Sequence, residues 1–192
     1  MKVKVAAILA TISFLLSVED AAILKSFQPL REAILAATTA ALQSDEALGR
    51  LALESLAELS KTHPDFWQEC CPQLVKMVSE VIKASHFEDG TRSQAAEIVL
   101  TLSKEVPATL RKVGEVKTEF VPAIVQLVTE CEEDTETWAE AADEECGAGN
   151  DAYSAGTSAV ERLSSQMKEK FTLDAFEALI GQCLAQEDWK VR

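Results

Sequence analysis

Apolar residues recur along this chain at helical spacing. After Pro72 they fall at 74, 75, 77, 78, 81 and 82, and after Pro122 at 124, 125, 127 and 128. After Pro29, Ile34 and Leu35 sit at the offsets of Met77 and Val78. Steps of one, three and four residues make a single buried stripe on a helix. A proline in the first turn suits a helix start, because its missing N–H has no partner there anyway. A second kind of helix follows each of these, marked by Ala, an apolar residue, Glu, any residue and an apolar residue. It reads Ala52-Leu-Glu-Ser-Leu56, Ala95-Ala-Glu-Ile-Val99 and Ala159-Val-Glu-Arg-Leu163. The small Ala lets helices approach, and the Glu is expected to face water.

The distances between these marks organise the chain. Pro29 to Ala52 and Pro72 to Ala95 are both 23 residues, and Pro29 to Pro72 and Ala52 to Ala95 are both 43. A two-helix unit repeating at about 40–47 residues is the pattern of HEAT and armadillo solenoids. The expected fold is all-α: a HEAT-repeat α-solenoid of antiparallel helix pairs in a right-handed superhelix, about four repeats long. Residues 1–192 are expected to form a single segment of a longer solenoid. Pairs are predicted at 21–43 with 45–61, 66–84 with 91–104, and 115–131 with 151–167, with further helices at 3–17 and 172–185. The first reads as a second helix without its first, and the last as a first helix without its second. Phe176, Leu179 and Ile180 are then expected to lack their natural cover. Met1–Leu16 also has the composition of a secretory leader, two lysines before an apolar run, but no Ala-x-Ala-like site follows and the run is too short for a membrane span.

Pro122 to Ala159 is 37 residues, 14 more than in the other units. The excess is the stretch Cys131-Glu-Glu-Asp-Thr-Glu-Thr-Trp-Ala-Glu-Ala-Ala-Asp-Glu-Glu-Cys146, an acidic inter-helix loop at about 131–150. Net charge is −14, from 32 acids and 18 bases. Thr118 to Glu161 holds 12 acids and no base, which leaves 20 acids against 18 bases, or −2, elsewhere. The acidity is therefore local. It argues against nucleic acid, whose phosphates it would repel, and favours a basic partner, since concentrated charge of one sign speeds encounter with the other. The loop is not an EF-hand: its acids do not alternate and its sixth position is not Gly. A solvated spacer is the plainer alternative, but a spacer has no use for Trp138 among acids. The loop is expected to be mobile and to order against a basic surface.

Other chemistry is sparse. Five cysteines, an odd count without Cys-x-x-Cys, indicate a reducing compartment rather than a disulfide framework. His63 and His86 read as surface residues. No phosphate loop, zinc-protease motif or nucleophile elbow occurs. The sequence therefore gives no reason to expect an enzyme, a cofactor or a metal site.

Several segments resemble the karyopherin-β nuclear transport receptors, closest to the importin subunit beta-3 branch. They are Gly90-Thr-Arg-Ser-Gln-Ala-Ala-Glu-Ile-Val-Leu-Thr-Leu-Ser103, Ala108-Thr-Leu-Arg-Lys112, the acidic run 132–145, Ala155-Gly-Thr-Ser-Ala-Val-Glu-Arg-Leu163 and Glu187-Asp-Trp-Lys-Val-Arg192. The order of acid–Trp–acid loop, Ser158–Leu163 helix and Asp188-Trp-Lys-Val-Arg192 is specific. The resemblance implies a HEAT solenoid shuttling between cytoplasm and nucleus. Its implied partners are the Ran GTPase, basic cargo proteins and nucleoporins, with no nucleic acid and no membrane. By motif, Glu132, Glu133, Asp134, Glu136, Trp138, Glu140, Asp143, Glu144 and Glu145 are the implied Ran- or cargo-contacting residues. The branch carries a longer acidic run, whereas this chain turns to Cys146-Gly-Ala-Gly-Asn150, a departure that implies a weaker or differently shaped loop. The family's main Ran contacts lie in repeats outside this chain. A HEAT scaffold or adaptor unconnected with transport is the alternative reading.

Overall fold

The structure, a computed structural model, describes residues 2–130 and 152–186. Among them there is no strand. The helices are α1 (Lys2–Leu16), α2 (Ala21–Ser26), α3 (Arg31–Ser44), α4 (Glu46–Thr62), α5 (Cys71–Lys83), α6 (Asp89–Glu105), α7 (Pro107–Leu110), α8 (Val121–Thr129), α9 (Ala152–Gln166) and α10 (Glu169–Leu184).

Packing sorts them into two rows. The helices α3, α5, α8 and α10 touch in succession, and so do α1, α4, α6 and α9. Pairs α3–α4, α5–α6 and α8–α9 join the rows as units. The apolar stripe of α5 is wholly buried, with Leu74, Val75, Val78 and Ile82 at 0% exposure, each side chain contributing about 1.5–3 kcal/mol by leaving water. In α6, no residue from 91 to 103 is exposed, because helices cover it on three sides. The helix α1 takes its place in the second-helix row, burying Val5, Ile8, Ile12 and Leu15 against α3 and α4. At the other end α10 leaves Leu173, Ile180 and Leu184 exposed. No helix among the described residues is long and apolar enough to cross a membrane.

The predicted second helices match to within two residues; the first helices are broken where single helices were expected. The stretch 21–43 splits into α2, a tight 3-10 turn Gln28–Leu30 and α3, since Pro29 has no N–H to continue the α-helical ladder. The stretch 66–84 becomes a turn at Pro64–Trp67 and then α5, with Pro72 in its first turn. In 115–131 a wide π turn, Val116–Phe120, precedes α8. There the Val121 N–H reaches back five residues to the Val116 carbonyl, next to Pro122, which has no N–H to donate.

Close approach between the rows uses glycine as well as alanine. Ala52, Ala95 and Ala159 are all buried. Three residues before them stand Gly49, Arg92 and Gly156. A Cβ on Gly49 would lie 2.6 Å from Leu42 Cα, and one on Gly156 would lie 2.7 Å from the Val128 nitrogen. In the middle unit the same position carries a buried arginine.

Candidate functional site

That side chain is Arg92, 2% exposed. It stands in the first turn of α6, which starts at Asp89 with its early amides bonded to the Glu88 carbonyl. From a position that faces α5, Nε–H donates to the Ile82 carbonyl at 2.7 Å. The two terminal nitrogens then fork onto Glu130: Nη1–H to Oε2 and Nη2–H to Oε1, each at 2.6 Å. Nη1 also lies 3.4 Å from Asp89 Oδ1. Planar bidentate geometry of this kind is what a guanidinium offers and an ammonium does not. The hydrogen bonds from Arg92 hold the Glu130 carboxyl below the usual carboxylate range, and Glu130 in turn raises Arg92.

Glu130 caps the end of α8, and Ala152 begins α9. The Ala152 N–H donates to Asp89 Oδ2 at 3.2 Å. Glu130 and Ala152 are therefore held by Arg92 and Asp89, two residues on one turn of α6. The contacts continue to the unit before: the Glu88 N–H donates to Glu46 Oε1 at 2.7 Å, and Arg50 lies 3.6 Å from the Glu88 carboxylate. All three turns between first and second helices carry acids, namely Asp45-Glu46, Glu88-Asp89 and Glu130 onward.

Glu132, Glu133, Asp134, Glu136, Trp138, Glu140, Asp143, Glu144 and Glu145 lie outside the described residues. So do Cys131 and Cys146. Of the three motif glutamates expected to face water, Glu54 and Glu161 do. Glu97 is half-buried and forks onto Arg162 of α9, its Oε2 accepting from Nη2 at 2.9 Å. His86 is exposed beside Phe87. His63, read from sequence as a surface residue, is instead half-buried, because the break before α5 folds over it. It lines a cavity of about 310 Å³ with Leu24, Lys25, Gln28, Asp65 and Phe66. Among the described residues no group of His, Cys, Asp and Glu could hold a metal ion. Sequence reasoning missed Arg92. Its one signal was its register, the position where the neighbouring units carry glycine.

Residues 84–173 match a family model described as Importin repeat, and residues 1–77 match one described as IPO5-like, TPR repeats. The 43-residue period of this chain is longer than the 34 residues of a tetratricopeptide repeat. Among solved structures, Kap121p bound to RanGTP superposes with a TM-score of 0.87 at 19% identity, covering 98% of this chain and 19% of that one. Kap121p by itself gives 0.86 at 18% identity over 98% of this chain and 18% of that one. Kap121p bound to Ste12p gives 0.86 at 18% identity, over 97% and 18%. These likenesses establish the fold, and this chain spans about a fifth of the length of the structures it matches. With importin-type models matching 1–77 and 84–173, the chain belongs to the karyopherin-β family.

Proposed function

We propose that this chain serves protein import into the nucleus, as part of a receptor of the importin subunit beta-3 branch that carries basic cargo and binds GTP-bound Ran. The observation that carries the reading is the run of importin-type matches along 1–77 and 84–173. The match to the IPO5-like model supports the branch, and the Kap121p structures with RanGTP and Ste12p support the two kinds of partner. A receptor of this kind moves between cytoplasm and nucleus and binds rather than catalyses.

Within this reading, Glu132, Glu133, Asp134, Glu136, Glu140, Asp143, Glu144 and Glu145 supply charge to Ran or to a lysine-rich cargo, and Trp138 supplies an apolar or cation–π anchor. Exposed ion pairs give roughly 0.2–1 kcal/mol each, so several are needed and the binding weakens with salt. The test replaces the eight acids with Ser and measures binding of Ran, in its GTP and GDP states, and of a lysine-rich peptide. The reading expects the GTP state to bind better than the GDP state, and both GTP-bound Ran and the peptide to bind the variant more weakly. Equal binding by wild type and variant would assign these residues to a spacer.

A further inference from the structure

We infer that Ser85, in the turn between α5 and α6, is a phosphorylation site for an acid-directed serine kinase. Among the described residues, Ser17 and Ser85 are the two hydroxyl side chains that stand outside helices. A kinase needs such a place, because the acceptor segment must extend through its cleft. Both serines are followed by acids: Glu19 and Asp20 come two and three residues after Ser17, and Glu88 and Asp89 three and four after Ser85. Their surroundings separate them. Ser17 Oγ donates to the Phe14 carbonyl at 2.7 Å, and the Ser17 and Val18 amides donate to Phe14 and Leu15. Val18 is buried, so lifting that segment breaks three bonds and uncovers core. Ser85 is exposed, and its Oγ has no hydrogen-bond partner among the described residues. It stands at the tip of a turn closed by the Phe87 N–H, which donates to the Ala84 carbonyl at 3.1 Å. Beyond it the Glu88 N–H is tied to a side chain, Glu46, and Phe87 is half-buried where Val18 is buried. The backbone is non-helical at both ends of the turn, with ψ 91° at Ala84 and 146° at Glu88. The Glu88 and Asp89 side chains are 75% and 43% exposed, so basic residues of a kinase can reach them.

In the reaction Ser85 Oγ attacks the γ-phosphorus of ATP. The new O–P bond forms as the bond from that phosphorus to the β,γ-bridging oxygen breaks; ADP leaves, and the hydroxyl proton passes to the kinase's catalytic carboxylate. The product brings a charge of about −1.5 to −2 at neutral pH to the turn that leads into α6. Local sequence alone favours Ser17, whose acids are nearer, and this makes the test sharp. The folded 192-residue chain is incubated with ATP and a purified acid-directed serine kinase of the casein-kinase type, and initial rates at each site are read by phosphopeptide mapping. Ser85 should be modified at least about tenfold faster than Ser17, because the extra opening at Ser17 costs free energy. Glu88→Gln should slow modification of Ser85 by about tenfold, the loss of one charge-assisted contact to the kinase. Should that variant fail to fold, the same substitution in a synthetic peptide covering 78–92 carries the same prediction. Ser17 modified first in the folded chain, Ser85 left unmodified, or a Ser85 rate indifferent to Glu88→Gln overturns the inference.

Discussion

Arg92 and Glu130, 38 residues apart, meet in a two-bond fork with both contacts at 2.6 Å, one partner buried and the other about a third exposed. The pair joins the start of α6 to the end of α8, and so ties the second unit to the third. Removing Glu130 leaves the buried guanidinium with only the Asp89 carboxylate, 3.4 Å from Nη1, and a buried charge that loses its main partner costs more than the pair itself contributes.

Glu130→Gln should therefore lower stability by about 1.5–3 kcal/mol near neutral pH, toward the lower end because the carboxylate is partly solvated. The pH dependence has a fixed sign. Arg92 lowers the folded pKa of Glu130, so the stabilisation is fully present above the unfolded value of about 4.3 and is lost as pH falls through the folded value. Urea unfolding of wild type and variant should show a gap that is full at neutral pH and closes in acid. A gap independent of pH would contradict the ion pair.

Two glycines should respond to alanine with opposite signs. Gly156→Ala places a methyl group 2.7 Å from the Val128 nitrogen and 2.8 Å from Leu127 Cβ. Backbone cannot swing aside, so overpacking of about 1–3 kcal/mol should outweigh the gain in helix propensity. Gly181 on α10 has nothing within 4 Å of its added Cβ, and Gly181→Ala should stabilise by about 0.5–1 kcal/mol. Melting temperatures measure both.

Thiol chemistry should follow burial. Cys70 and Cys71 are 5% and 3% exposed. Burial pushes the Cys71 thiol up to about 11, with further rises from Cys70 and Glu115, and burial raises Cys70 as well. Little thiolate forms at neutral pH, and reagent cannot reach it. Cys183 is half-buried on α10. In native alkylation followed by peptide mapping, Cys183 should label well before Cys70 or Cys71, and all three should label together in denaturant.

The repeat was legible because its marks are local: prolines begin first helices, small residues recur at the crossings, and both keep register over 43 residues. The breaks at Gln28–Leu30 and Pro64–Trp67 were not legible, since apolar spacing runs straight through the first of them and Phe66 and Trp67 continue the stripe in the second. Arg92 was hidden for a different reason. In Asp89-Gly-Thr-Arg92 it reads as a solvated polar run, and its main partner, the Glu130 carboxylate, comes 38 residues later. Glu97 was misjudged likewise, because its partner Arg162 is 65 residues on. The acidic stretch was legible as charge and as an insertion. The meeting of Glu130 with Arg92 and of Ala152 with Asp89 on α6 became apparent only in space.

The proposed role of residues 131–150 is that of a surface for a basic partner. Hydrogen–deuterium exchange measured with and without saturating GTP-loaded Ran, and again with a lysine-rich peptide, tests it directly. The account predicts slowed exchange in peptides spanning 131–150 and in the first turn of α6, with the α10 end unchanged. Saturating partner that leaves exchange in 131–150 unaltered would contradict it.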